Sequence, residues 1–177
     1  SVQTAWVNDG TVYSTGSGSI SLNGTVSENG VWSFSGGTIP VISGLTYKNM
    51  SVTGIVAGPV SQITIPGNLT ISSGTLTTAA KLIVQGTAVI DGSVSLGADL
   101  SVSSIDINLG GSLTVNGNTL AVLSSWVNDG TVYSNGSGSI SIPSVSSGVW
   151  EYSAGTVHTG ITFGSLVING TVTSPGT

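Results

Sequence analysis

Seven carboxylates, two lysines and a single histidine supply nearly all the acid–base chemistry open to these 177 residues. Asp99 and Asp106, seven residues apart, are the one pair whose spacing could bring two carboxyls together as the acid and base of glycoside hydrolysis. Nothing around them signals a cleft, so both are expected to be solvated charges. Asp9 and Asp129 sit in Asn-Asp-Gly and Asp91 precedes Gly92; Asp in such places bonds its own backbone and fixes a turn. Glu28 and Glu151 fall at different places in their repeats, which argues against a shared acid. His158 has no Ser, Cys or carboxylate positioned beside it and reads as a surface residue, not a base or ligand. The glycine–aspartate nonapeptide rhythm of calcium-binding rolls is missing. The residues therefore predict no catalytic, cofactor or metal site, and a chain that is not an enzyme.

What repeats is not acid or base but aromatic. Trp6 to Ser21 and Trp126 to Ser141 differ only at Thr15/Asn135, across an offset of 120 residues. Trp32 then matches Trp150 at 118, and Tyr47 matches Phe163 at 116. The chain is thus a repeat, 1–57, an aromatic-free segment, 58–120, and a second copy of the repeat, 121–177, all expected to form one continuous rod. Trp6, Tyr13, Trp32, Phe34 and Tyr47 pair with Trp126, Tyr133, Trp150, Tyr152 and Phe163. Trp6, Tyr13, Trp32, Trp126, Tyr133 and Trp150 are the candidates for stacking on sugars or for contacts between neighbouring rods, with packing and self-association the favoured role.

Composition narrows the class. Lysine and arginine together number two and aspartate plus glutamate seven, for a net charge of −5, far below the usual quarter of charged residues. The surface must then be hydroxyl and amide, and a chain without a basic patch is a poor partner for nucleic acid or an anionic membrane. No apolar run approaches the ~20 residues of a membrane-spanning helix, so no membrane insertion is expected. The absence of a leader pattern reads as a mature chain or a fragment of a longer array. With no cysteine, stability has to come from strand pairing and packing. Five sequons, at Asn23, Asn49, Asn68, Asn135 and Asn169, would accept N-linked sugar in a glycosylating host.

The elements carrying these residues are short strands. Runs such as Leu69-Thr70-Ile71, Val94-Ser95-Leu96 and Leu113-Thr114-Val115 alternate apolar with small polar residues, and Gly, Asn-Gly, Asp-Gly or Ser-Gly breaks them every six to eight residues. Three strands and their corners make a turn of roughly 20–24 residues, so an all-β, parallel β-solenoid of about seven to nine coils is predicted. In it Ile83, Val94 and Leu113 should point inward, with Thr70 and Ser95 outward. Lys48 and Lys81 would discourage edge pairing along the rod.

The stretch GNLTISSGTLTTAAKLIVQGTAVIDGSVSLGADLSVSSIDINLGGSLTVNGNTLAV resembles the β-solenoid regions of filamentous-haemagglutinin-like and autotransporter-like surface proteins. The resemblance covers most of 58–120 and, more loosely, GSGSISL and GSLVING. It implies the solenoid fold and an extracellular or cell-surface location.

A second fold also fits one motif. Asn8-Asp9-Gly10 between Trp6-Val7 and Thr11-Val12-Tyr13 is good hairpin chemistry, and antiparallel hairpins would build a β-sandwich or jelly-roll subunit of the pilin kind. On the solenoid reading the chain is a structural repeat of an extracellular filament, sheath or stalk-like adhesin, with itself as main partner. A carbohydrate-binding module with glycan partners is the alternative, and a glycoside-cleaving β-helix comes third.

Overall fold

The computed structural model describes residues 5–15, 20–22, 25–143 and 148–174. The chain winds as a parallel β-solenoid of about eight turns, with no helix among the described residues. Every strand pair among the described residues is parallel. Asn8-Asp9-Gly10 is therefore a corner, not a hairpin loop. Ala5–Asn8 pairs with Thr25–Glu28, and Thr11–Ser14 pairs with 31–34, each strand lying against the next coil instead of against its neighbour in sequence.

Each coil offers three faces. Face one stacks Ile63–Ile65, 82–84, 100–102, 120–122 and Ile140–Ser141. Face two stacks Thr11–Ser14, 31–34, 49–52, Leu69–Ile71, 88–90, 105–107 and 126–128. Face three stacks 36–38, 55–57, Thr75–Thr78, Ser93–Leu96, Ser112–Thr114, Thr131–Ser134, 149–152 and 165–168. By chain order the Ala5–Asn8/Thr25–Glu28 pair precedes face two, and 154–156 with 171–173 follows face three, which puts both on face one. Long strands such as Leu82–Ile90 and Asn49–Ala57 bend round a corner and serve two faces, and the ladder register shifts where they bend.

A coil takes about 19 residues, fewer than the 20–24 expected, because the corners are shorter than ordinary loops. Glycine permits this. A Cβ on Gly54 would lie 1.9 Å from the Ser35 carbonyl oxygen, one on Gly74 2.0 Å from that of Gly54, and one on Gly92 2.3 Å from that of Gly74. Corner backbones are stacked too closely for any side chain. The corner between faces two and three is closed by amide bonds from one coil to the next, such as Asp91 and Gly92 to the Ile71 carbonyl at 2.8 and 2.9 Å and Asp129 to Ile107 at 2.8 Å.

Alternation puts Leu69, Ile71, Leu76, Val94, Leu96, Leu113 and Val132 inside, each contributing roughly 1.5–3 kcal/mol of apolar burial. Ile83 corrects the expected register. It lies between buried Leu82 and Val84 and points outward, so in Leu82-Ile83-Val84 the period of two, not hydrophobicity, chooses the inward pair.

Candidate functional site

The inward rings of each repeat form one four-membered knot. In the first copy Trp32 lies 6.1 Å from Trp6, 6.3 Å from Phe34 and 5.3 Å edge-on from Tyr47, measured between ring centroids. In the second, Trp150 lies 5.6 Å from Trp126, 6.4 Å from Tyr152 and 5.5 Å edge-on from Phe163. Trp32, Trp126 and Trp150 are buried and Trp6 is half-buried. Stacked and edge-on geometry at these separations suits the ring quadrupoles. Tyr13 and Tyr133 stand outside the knots, on the outer surface.

The two knots occupy different faces. Ala5–Asn8 carries Trp6 on face one, whereas 126–128 carries Trp126 on face two; Trp32 is on face two and Trp150 on face three. Six coils of about 19 residues fall about six residues short of the 120-residue offset, which is the length of one strand with its corner. The repeat has therefore advanced by one face, about a third of a turn.

Each knot treats its polar atoms differently. Glu28 accepts hydrogen bonds from Nε1 of Trp6, from Nε1 of Trp32 at 3.1 Å and from Nδ2 of Asn8 at 2.9 Å. Aligned by Trp32 and Trp150, Ser146 stands where the first copy has Glu28, and Nε1 of Trp126 is buried with no hydrogen-bond partner. The phenol has also moved. Tyr47 donates to the Pro40 carbonyl, and burial first, then the Glu28 charge, pushes its pKa well above the ordinary range. In the second copy Phe163 replaces Tyr47 and Tyr152 replaces Phe34, and His158 at the place of Pro40 becomes the partner. Burial raises the Tyr152 pKa, and burial lowers that of His158 although a backbone contact at Gly138 opposes it.

The remaining candidates serve the coils. Asp99 accepts from the Thr119 amide at 2.8 Å in the next coil, at the corner before face one. Asp106 points outward on face two, in register with Val89 and Val127. The two carboxylates thus occupy different parts of the rod. Asp9 accepts from Asn29 at 3.0 Å and Asp91 from Asn108 at 2.5 Å, both between successive corners. Among the described residues no cluster of three His, Cys, Asp or Glu could hold a metal. A recess of about 180 Å³ lined by Glu28, Thr46, Lys48 and Pro66, and another of about 200 Å³ lined by Tyr47, Gln62 and Ile63, lie where the first repeat meets the segment 58–120.

Of the sequons, Asn23 lies outside the described residues. Asn49 is half-buried and bonded both ways, its Oδ1 accepting from the Asn68 amide at 3.0 Å and its Nδ2 donating to Gly30 at 3.3 Å. Asn68 is exposed but accepts from the Thr87 amide at 2.9 Å. Asn135 and Asn169 are exposed, and Nδ2 of Asn169 reaches Glu151.

One feature had no signal in composition or spacing. Leu166 and Ile168 continue the inward row of Trp150 and Tyr152, yet they are 42% and 46% exposed. Their counterparts in the first repeat, Met50 and Val52, are 1% and 0% exposed, because Leu69 and Ile71 lie over them.

The sequence matches no family model, and searches of the curated proteins and of the solved structures find no match.

Proposed function

We propose that this chain is a structural unit of an extracellular filament, sheath or stalk-like adhesin that assembles with copies of itself through β contacts. The observation that supports the proposal is the duplication: two copies of one aromatic knot are built into a single parallel ladder of stacked coils. The surface fits a scaffold better than a catalyst: few charges, hydroxyl-bearing faces, and acids engaged between corners. Electron microscopy of the purified chain tests the proposal. Fibres support it, and monodisperse particles at all concentrations refute it.

Tyr13, 82% exposed on face two, favours a second reading, a surface that binds glycans by stacking. Glycan-array binding that Tyr13→Ala abolishes would select it.

A further inference from the structure

Asparagine is among the chemically labile residues, most of all before glycine, whose backbone nitrogen meets no side chain of its own as it closes on the asparagine carboxamide. Four such pairs fall among the described residues, Asn29-Gly30, Asn116-Gly117, Asn135-Gly136 and Asn169-Gly170; Asn23-Gly24 lies outside them. The four are alike in sequence and unlike in the fold.

Ring closure needs a glycine amide outside the ladder and backbone room to turn. A Cβ on Gly30 would lie 2.1 Å from the Gly10 carbonyl oxygen, one on Gly136 2.3 Å from that of Ala154 and one on Gly170 1.9 Å from that of Ser153. Each of these glycines is wedged against the backbone of a neighbouring coil. The Gly30 amide also donates to the Asn8 carbonyl at 2.8 Å and the Gly136 amide to Oγ of Ser134 at 3.0 Å, while Asn169-Gly170 lies inside the strand Ser165–Thr173. The Asp-Gly corners, which could close the same ring, are held in the same way. Gly92 and Gly130 donate to the Ile71 and Ile107 carbonyls at 2.9 and 3.1 Å, and Gly10 to Oδ1 of Asn8 at 3.1 Å.

Asn116-Gly117 differs on both counts. At the corner between faces three and one, the Asn118 amide donates to the Val115 carbonyl at 3.1 Å and closes a turn with φ of 50° at Asn116 and 76° at Gly117. Two successive left-handed residues make this a type I′ turn, whose closing bond leaves out the amide of its third residue. The Gly117 amide accordingly meets no acceptor among the described residues. The atoms nearest a Cβ on Gly117 belong to side chains, with Oγ of Ser137 first at 2.4 Å. Asn116 is exposed, and its carboxamide is tethered from Nδ2 to Oγ of Ser95 at 2.9 Å.

We propose that Asn116 is a self-modification site, an asparagine that the folded rod converts to aspartate and isoaspartate through a succinimide ring. The Gly117 nitrogen bonds to Cγ of Asn116, the Cγ–Nδ2 bond breaks, and the leaving nitrogen takes the Gly117 amide proton and departs as ammonia. Water then adds to one ring carbonyl and breaks its bond to the Gly117 nitrogen, which regains a proton. Opening at Cγ gives aspartate; opening at the Asn116 backbone carbonyl gives isoaspartate and lengthens the corner backbone by one methylene. Either product replaces the donor to Ser95 with a carboxylate and adds a negative charge to a chain of net charge −5. The chemistry does not depend on whether the rods assemble.

Incubation of the folded chain at mildly alkaline pH, followed by proteolysis and mass spectrometry, reads the conversion at each asparagine. Asn116 should convert severalfold faster than Asn29, Asn135 and Asn169, give both products, and speed up with pH because the attacking amide must lose its proton. In denaturant, which releases all four pairs from the coils, the rates should converge. Asn116→Gly keeps a residue suited to the left-handed turn and should abolish the early acidic species on ion exchange. Equal rates in the folded chain, earlier conversion at another of the four asparagines, aspartate as the sole product, or an acidic species that survives in Asn116→Gly would overturn the proposal.

Discussion

The hydroxyl of Tyr152 lies 2.8 Å from Nδ1 of His158, and it accepts the His158 amide at 3.3 Å. Burial lowers the His158 pKa and so favours the neutral imidazole, whose tautomer decides whether Nδ1 accepts from the phenol or donates to it. The first repeat reaches the same end differently, with Tyr47 bonded to Pro40. Each knot thus contains one phenol and one partner at the matched place, 40 or 158, though the phenol comes from the loop before Asn49–Ala57 in the first and from Val149–Thr156 in the second. Three differences between the copies, Phe34/Tyr152, Pro40/His158 and Tyr47/Phe163, leave each knot with one phenol hydrogen bond.

His158 makes the second repeat pH-sensitive. Its folded pKa lies below the unfolded value of about 6.5, so the unfolded chain takes up the proton first as pH falls. Stability should be flat above pH 7 and decline as pH drops through about 6.5 toward the folded pKa. Melting temperatures between pH 8 and 5 should show this slope in the parent and lose it in His158→Gln. An unchanged slope in the variant would assign the effect to other groups.

The knot of the first repeat depends on Glu28. Glu28→Ala strands the indole N–H groups of Trp6 and Trp32 and the amide of Asn8, at a cost of about 1–3 kcal/mol. Glu28→Gln, which keeps an acceptor, should cost less. Denaturant melts give both values; equal stability of the alanine variant and the parent would mean that solvent already satisfies these donors.

Inward and outward positions should differ sharply. Val94→Asp or Leu113→Asp buries an unpartnered charge and should cost on the order of 4 kcal/mol or more, whereas Thr70→Ala should stay within about 0.5 kcal/mol. Ile83→Thr, outward despite its hydrophobicity, should behave like the Thr70 variant. A large loss at Ile83 would contradict the register.

The aspartates should act as structural acceptors. Asp99→Ala loses the bond from the Thr119 amide and should cost about 1 kcal/mol, and Asp99→Asn, which retains Oδ1, should recover most of it. Asp106→Asn should change little, and chelators should leave the melt unmoved. A calcium-dependent melt would overturn this.

Much of this fold is written locally. The alternation in Leu69-Thr70-Ile71 and Val94-Ser95-Leu96 names the inward residues, and the Gly and Asp-Gly breaks mark the corners. The corner depth is less visible, since the approach of Gly54 to Ser35 involves residues one coil apart, and the coil length came out too long for that reason. Ile83 misled because an unbroken apolar triplet does not show its own phase. The aromatic pairing across the two repeats was plain in the sequence, but their displacement by one face was not: it depends on the remainder when a 120-residue offset is divided by a coil of about 19 residues. Nor could spacing show that Leu166 is exposed where Met50 is sealed, because both lie in equally apolar strands and only the presence of a covering coil separates them.

Helical reconstruction by cryo-electron microscopy of the purified chain tests self-assembly most directly. The account predicts a filament of parallel β-solenoid subunits with strands stacked at ~4.8 Å along its axis. Particles that remain monomeric at every concentration would contradict it.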